Sequence, residues 1–307
     1  MECLRLTDAE EVPAPLRRRL NDYLFSAEAF AELWRTAGGS PVWWLARSEE
    51  EAVAVVPGVE FGFGPIQRFQ AMPDGCFHQP AITDHDSANR GYHELVDTIF
   101  SHGYAKAYLT DYASNVEQVP EGTESMSHET TLVEVDDSSW RPPDTKLQSQ
   151  IRKAEREGIA VQRFDYHRHM RCFMGLVEET GRRQEQAPRY GPEFYECLAS
   201  MSDNDKRILW WYVEHDGHPV ASQINFDLGD QLLSWQTFSD RSFSHLKANQ
   251  FLLSRLCREA AARSIKFVNL GLSPPDAEGL EYYKRRWGGS SYSYRTYFRK
   301  SGLGRLL

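Results

Sequence analysis

The apolar positions of the second half of this chain change period several times, and each change marks an element. Leu147, Ile151 and Ala154 recur at i, i+4 and i+7 and predict a helix over residues 146–157 that Gly158 stops. Two more helices are expected near Tyr166–Glu179 and Pro192–Met201. The pattern then turns β-rich in Ile208–His215, Pro219–Asp227 and Gln231–Ser239. Turns at Asp216-Gly217 and Leu228-Gly229-Asp230 predict that these three runs form an antiparallel meander. A long helix over Lys247–Ala262 presents Phe251, Leu252, Leu256 and Ala260 to a core; Phe267–Leu270 reads as a strand, Glu278–Arg286 as a short helix and Ser290–Phe298 as a last strand. The expected order is α-α-α-β-β-β-α-β-α-β.

The first half begins with a helical stretch, Pro15–Ala37, followed by Val42–Arg47 and Ala52–Val56 as strands paired across a Ser-Glu-Glu-Glu turn. A helix over Arg90–His102 and strands at Ala107–Leu109 and Thr130–Val135 complete a β-β-α-β-β order. Between the halves, Trp140-Arg-Pro-Pro-Asp-Thr145 has two prolines that end any regular element and an Asp or Thr that can cap the next helix. The expected domains are 1–140 and 141–307. Both carry a β-β-α-β core, so the fold class is α+β (mixed α/β), with two tandem domains whose mixed central sheets are flanked by helices.

Composition narrows the function. With 41% hydrophobic and 26% charged residues over 307 positions, the chain can bury a proper core. No window of about 18 uncharged apolar residues predicts a transmembrane span, and the acidic N-terminus lacks a signal-peptide apolar run. Five cysteines, odd in number and without CxxC spacing, argue against a disulfide framework or zinc ribbon and fit the cytoplasm. No metal site is expected: His167 and His169 have no partner ligands nearby in sequence and read as a surface pair. The net charge of −9 argues against a general nucleic-acid binder, and no DNA partner is expected, while leaving room for a local basic pocket for an anionic ligand. Lys146–Arg163 and Lys284–Arg286 are basic islands in this acidic chain.

Three ordered stretches carry a family likeness: Lys146-Leu-Gln-Ser-Gln-Ile-Arg-Lys-Ala-Glu-Arg-Glu-Gly-Ile159, Asp240-Arg-Ser-Phe-Ser-His-Leu-Lys-Ala-Asn-Gln-Phe-Leu-Leu253, and Phe267-Val-Asn-Leu-Gly271 with Gly279-Leu-Glu-Tyr-Tyr-Lys-Arg-Arg-Trp-Gly-Gly289. Together they resemble the Fem-type (FemAB-like) branch of the GNAT acyltransferase superfamily, over roughly residues 145–300 and only loosely before that. The resemblance implies tandem GNAT-like domains and transfer of an acyl or aminoacyl group to an amine, on a cell-envelope or polysaccharide precursor. It implies acyl-CoA or aminoacyl-tRNA as co-substrate, with no tightly bound cofactor, contact with a tRNA 3′ end in the latter case, and at most peripheral contact with the membrane. An ordinary GNAT enzyme has an Arg/Gln-x-x-Gly-x-Gly/Ala loop before its central helix. Here Arg241–Lys247 contains no glycine, which is also a trait of the Fem-type branch.

The candidate residues follow from the elements. A helix N-terminus presents unpaired amides and the positive end of its dipole, so the start of the Lys247–Ala262 helix suits a phosphate or carboxylate. Arg241, His245, Lys247 and Asn249 are the donor-binding candidates there, with Arg285. By resemblance Lys284 is the lysine of the family's Phe/Tyr-Lys-Arg motif, placed to hold a donor phosphate or steady an oxyanion; a basic helix face with Tyr283 and Trp287 in the core explains the same run. Gln223 and Asn225 share a face of the second meander strand and, with Trp235 and Gln236, are candidates to line the acceptor pocket; hydrogen-bonded groups on a half-exposed face would look the same. Arg152, Arg183 and Tyr283 complete the acceptor set, Arg182 and Arg183 being read as part of a polar loop. For the general base Asp227, Glu214 and Asp240 stay level, and Asp227 stands with Lys284 and Gln223 as the candidate catalytic set. A non-catalytic GNAT-like binding module and an acetyl-CoA-dependent small-molecule N-acetyltransferase remain the alternatives.

Overall fold

The computed structural model describes every residue except 74, 117, 118, 138, 275, 276, 303 and 305–307. Its contacts gather into two compact units, Met1–His128 with Ser293–Leu307, and Glu129–Tyr292. In chain order the elements are β1 (Glu2–Leu6), α1 (Ala14–Asp22), α2 (Glu28–Leu33), β2 (Gly39–Ser48), β3 (Glu51–Phe61), β4 (Arg68–Ala71), β5 (Ala81–Ile82), α3 (Ala88–Ser101), β6 (Lys106–Asp111) and β7 (Glu124–Glu134). They continue with α4 (Thr145–Arg156), β8 (Ala160–Arg163), α5 (Tyr166–Arg183), α6 (Pro192–Asn204), β9 (Ile208–His215), β10 (His218–Asp227), β11 (Gln231–Ser239), α7 (Ala248–Ala262), β12 (Phe267–Leu272), α8 (Glu278–Arg285) and β13 (Ser290–Lys300).

The first unit orders its strands β1-β2-β3-β4-β6-β13. Only β4 and β6 run parallel in that series, and α3 makes the crossover such a pair requires. Past Ala71 the place beside β6 is refilled: His78 bridges Asp111, and both are buried. The helical stretch expected over Pro15–Ala37 is broken into α1, α2 and two 3₁₀ turns. Phe25 and Phe30 are both fully buried and touch at 5.0 Å. Five residues apart, they would diverge by about 140° on one straight helix, so the chain bends to bury both. β1, β4 and β5 were not foreseen, because runs this short carry no readable period and owe their conformation to neighbouring strands. The last strand, expected to serve the second half, pairs from Arg295 to Lys300 with β6 of the first unit.

The second unit orders its strands β7-β12-β11-β10-β9-β8, again with a single parallel pair, β11–β12, joined through α7. Leu147, Ile151 and Ala154 of α4 are buried as their spacing requires, in one core with Leu252 and Leu256 of α7 and Val213, Leu232 and Val268 of the sheet. Aromatic rings fill the other face, where Phe173 of α5 meets Tyr195 of α6, Trp210 of β9 and Phe238 of β11 edge-on. α5 runs four residues farther than expected, to Arg183, because Thr180 and Gly181 remain buried. Arg182 and Arg183 thus close its last turn rather than sit in a loop, where cations suit the helix dipole. His169 is likewise buried, not at the surface: its Nδ1 accepts from the Asp165 amide at 2.9 Å and its ring stacks on Tyr212 at 4.3 Å.

Two irregularities shape the middle of this sheet. β11 and β12 pair through Gln231–Phe267, Leu232–Val268 and Leu233–Asn269, after which no pair joins them among the described residues, while β12 continues along β7. Between β10 and β11 the register shifts, Asn225 facing Ser234 and Ile224 facing Gln236, so Trp235 is the extra residue of a bulge. A bulge re-aims side chains locally, and this one lies where β12 departs.

Candidate active site

Asp240 accepts from the Ser242 amide at 2.8 Å and from its hydroxyl at 2.7 Å, starting a 3₁₀ turn over Arg241–Leu246. Lys247 then takes a left-handed conformation, φ +61°, and the chain enters α7 with no side-chain cap. The left-handed turn that a glycine would supply is therefore made by a lysine. The first turn of α7 opens on a cavity of about 220 Å³ whose walls include Arg183, Ser239, Arg241, Lys247 and Asn249. Three of the expected donor-binding residues and Arg183 from the acceptor set thus meet around one space. Asn249 Nδ2 donates to Ser239 Oγ at 3.2 Å, leaving its buried Oδ1 unpartnered, and Arg183 Nη1 donates to the Ser239 carbonyl at 3.4 Å. His245 is exposed, its Nδ1 3.3 Å from the Ser242 carbonyl oxygen, and does not line this cavity.

A second cavity, of about 260 Å³, lies beside the same end of β11 and is bordered by Thr180, Gln184, Arg189, Tyr195 and Gln236. The Tyr195 hydroxyl donates to Gln236 Oε1 at 3.2 Å. Trp235 is half-buried and stacks on Tyr190, centroids 6.0 Å apart. Tyr195 was missed in the sequence because a tyrosine in an amphipathic helix reads as core, and nothing local links it to a glutamine 41 positions away. Gln223 and Asn225 lie deeper than a half-exposed face: they are 2% and 0% exposed. Gln223 Nε2 donates to Ser234 Oγ at 3.0 Å and Asn225 Nδ2 to the Leu209 carbonyl at 3.1 Å, so their amides tie β10 to its neighbours on either side.

The Lys284-Arg285-Arg286 run sends its side chains three ways. Arg285 is exposed. Arg286 forms a two-pronged ion pair with Asp144, at 2.9 and 3.0 Å, while Asp144 also caps α4 by accepting from the Leu147 amide at 2.7 Å. Lys284 is 3% exposed, and its ammonium donates to the carbonyls of Gly271 at 2.6 Å and Leu272 at 2.8 Å. These carbonyls belong to the stretch of β12 that has left β11. Burial lowers the Lys284 ammonium to about 8, against a smaller opposing pull from Glu281. Tyr283, half-buried, packs on Trp287 at 6.1 Å in the core of the unit, where burial raises its phenol.

Next to Lys284 lies a buried polar chain with no signal in the sequence. Thr130 donates to Asn269 Oδ1 at 2.5 Å, the Gly271 amide donates to the same oxygen at 2.8 Å, and Asn269 Nδ2 donates to Gln231 Oε1 at 2.7 Å. The remaining sequence candidates stand apart from both cavities. Asp227 accepts from Arg263, at the end of α7, at 2.8 Å and from the Gly229 amide of the β10–β11 turn at 2.9 Å, which engages both of its oxygens. Arg152 is exposed on α4, and Glu214 is half-buried on β9.

Two predictions follow from this geometry. Arg286 hydrogen-bonds the Asp144 carboxylate and, with the Leu147 amide, holds it down to about 2. A carboxylate with a depressed value adds stability above the ordinary aspartate range that is lost as the pH falls through the folded value. Denaturant melts of wild type should therefore weaken between about pH 4 and pH 2 more than those of Asp144→Asn. At Lys247, a left-handed lysine carries strain of roughly 1 kcal/mol that glycine lacks. Lys247→Gly is expected to keep or slightly raise the melting temperature, read by circular dichroism, while removing a cation from the cavity.

Residues 144–285 match the acetyltransferase (GNAT) domain family. Among solved structures, FemX superposes with a TM-score of 0.68 at 13% identity, over 96% of this chain and 97% of that one. The C-terminal domain of a putative lysylphosphatidylglycerol synthetase from Agrobacterium fabrum gives 0.61 at 12% identity, over 95% and 94%. A tandem GNAT protein from the clavulanic acid biosynthesis pathway gives 0.57 at 11%, over 98% and 99%. None of the curated proteins matches the sequence. At such identities the likeness establishes the fold, a mixed α/β tandem GNAT architecture. Over residues 144–285 the chain is thus similar to the acetyltransferase (GNAT) domain family, and FemX is among its structural neighbours. No helix among the described residues is long and apolar enough to cross a membrane.

Proposed function

We propose that residues 129–292 transfer an acyl or aminoacyl group from an activated donor, acyl-CoA or an aminoacyl-tRNA, to an amine on a cell-envelope or polysaccharide precursor. The observation that carries this reading is the parting of β11 and β12 after Leu233–Asn269, beside the uncapped start of α7 and its cavity of basic and amide side chains. In the first unit the corresponding gap is taken by His78.

In this reading the donor's phosphates or its 3′-terminal nucleotide rest against α7, where Arg241 and Lys247 add charge to the helix dipole. The acyl carbonyl lies along β11, whose backbone amides beyond Ser234 are released from β12 and can polarise it. The acceptor amine enters past Trp235 and Gln236. Its lone pair forms the C–N bond, the C–S or C–O bond to the donor breaks, and the leaving thiol or hydroxyl takes up a proton as the amine loses one. Asp227 spends its oxygens on Gly229 and Arg263, and Asp240 Oδ1 is held by Ser242; in this reading water or the substrate's own groups receive that proton, and positioning supplies much of the rate. Lys284 acts through β12, fixing the wall of the gap.

The test is incubation of the purified protein with labelled acetyl-CoA, longer acyl-CoAs and charged tRNAs, each with amine-bearing envelope precursors, scoring the acyl amide formed. Arg241→Ser combined with Lys247→Gly should raise the donor KM at least roughly tenfold with a smaller change in kcat. Absence of both product and saturable thermal stabilisation across all donors would replace this reading with a GNAT-like binding module.

A further inference from the structure

Between β3 and β4 the chain turns through Gly62-Phe63-Gly64-Pro65-Ile66-Gln67, a segment that acyl transfer leaves without a task. Phe63 is 79% exposed and Ile66 38%. The turn is nonetheless well formed. Gly62 and Gly64 take left-handed φ values, +80° and +54°, and the Ile66 and Gln67 amides donate back to the Phe63 and Gly64 carbonyls at 3.3 and 3.1 Å. A large aromatic ring is thus held in solvent by an ordered turn.

The strands beneath this turn end in a row of cations. Phe61 of β3 pairs with Arg68 of β4, Arg68 with Lys106 of β6, and Lys106 with Lys300 of β13. Residues directly opposite across a sheet share a face, and like charges so placed repel one another. None of the three cations has an ion-pair partner among the described residues; Lys300 lies only over the Phe298 ring, at 5.2 Å. The nearby Glu60 does not neutralise them, because it is buried and held by Arg5, Gln67 and Tyr104. Three adjacent, unpaired cations beside an exposed phenylalanine and isoleucine call for a partner that is anionic at its surface and apolar just beneath.

We propose that this end of the first unit docks on an anionic phospholipid surface, with Phe63 and Ile66 entering the headgroup–acyl boundary and Arg68, Lys106 and Lys300 meeting lipid phosphates. An apolar loop flanked by cations matches both layers of such an interface. A nucleic acid would reward the cations but not the aliphatic Ile66 side chain. The proposal does not rest on the acyl-transfer reading, since binding is measured without any donor.

The experiment is co-sedimentation of the full chain with vesicles of phosphatidylglycerol and phosphatidylcholine in equal parts, against phosphatidylcholine alone. The mixed vesicles should retain the protein and the neutral ones should not, with retention falling as salt is raised. Phe63→Ser with Ile66→Ser should weaken partitioning roughly tenfold or more, while Phe63→Leu retains most of it. Arg68→Ser, Lys106→Ser and Lys300→Ser should each cost roughly fivefold. Circular dichroism melts of every variant separate lost binding from lost folding. Equal partitioning to neutral vesicles, folded variants that bind as well as wild type, or capture by RNA but not by vesicles would each overturn the proposal.

Discussion

Lys284→Ala is expected to lower the unfolding free energy by about 3 kcal/mol and, under the proposed function, to abolish most acyl transfer. The ammonium is buried and donates two short hydrogen bonds to the Gly271 and Leu272 carbonyls. Hydrogen bonds to a charged group contribute roughly 1.5–3 kcal/mol each, and removing the donor leaves two acceptors without their partner. Urea denaturation measures the stability loss. A stability matching wild type would show that Lys284 does not hold this part of β12. A pH series separates this role from a purely steric one. Burial depresses the lysine from an ordinary value of 10.5 to about 8. Between those values the unfolded chain keeps a proton the folded chain has released, so wild-type stability should climb with pH across that window. Below about pH 8 both states are protonated and the climb should vanish. Lys284→Met, which fills the same space without titrating, should lack it.

Asn269→Ala should cost a similar amount, about 3 kcal/mol, because one side chain satisfies three buried groups at once. Without it the Thr130 hydroxyl and the Gly271 amide lose their acceptor, and Gln231 Oε1 loses its donor. Asn269→Asp should fare better, since its carboxylate still accepts from Thr130 and Gly271 and fails only toward Gln231. The order wild type, then Asp, then Ala in denaturant midpoint checks the network; Ala indistinguishable from wild type would refute it. Lys284 and Asn269 meet at Gly271, one through its carbonyl and the other through its amide, so their effects should be less than additive in the double variant.

Much of the second unit was legible in the sequence. The spacing of Leu147, Ile151 and Ala154, the Asp216-Gly217 turn and the alternation within Ile208–Ser239 each predicted an element that exists. The cluster at α7 was legible too, since a run of Arg, His, Lys and Asn around a helix start draws attention through elementary electrostatics. Roles were harder to read than positions. The consecutive residues Lys284, Arg285 and Arg286 are chemically alike on paper, yet one is buried on carbonyls, one is exposed and one is paired to an aspartate 142 positions away. Gln223 and Asn225 had the pattern of a half-exposed face, yet the folded sheet buries both and bonds each amide to a neighbouring strand.

The sequence by itself determined where the longer periodic elements form, such as α4, α7 and the β9–β11 meander, because periodicity and turn chemistry act over a few neighbouring residues. It also determined that the cations before α7 would lie close together, since they are adjacent in the chain. Tertiary structure alone decided which strands pair and where they part. It also decided that β13 returns to the first unit, and that Thr130, Gln231, Asn269 and Lys284 converge around Gly271. Those outcomes depend on long-range pairing and on burying polar groups only where partners exist, conditions set by the whole fold rather than by any local run of residues.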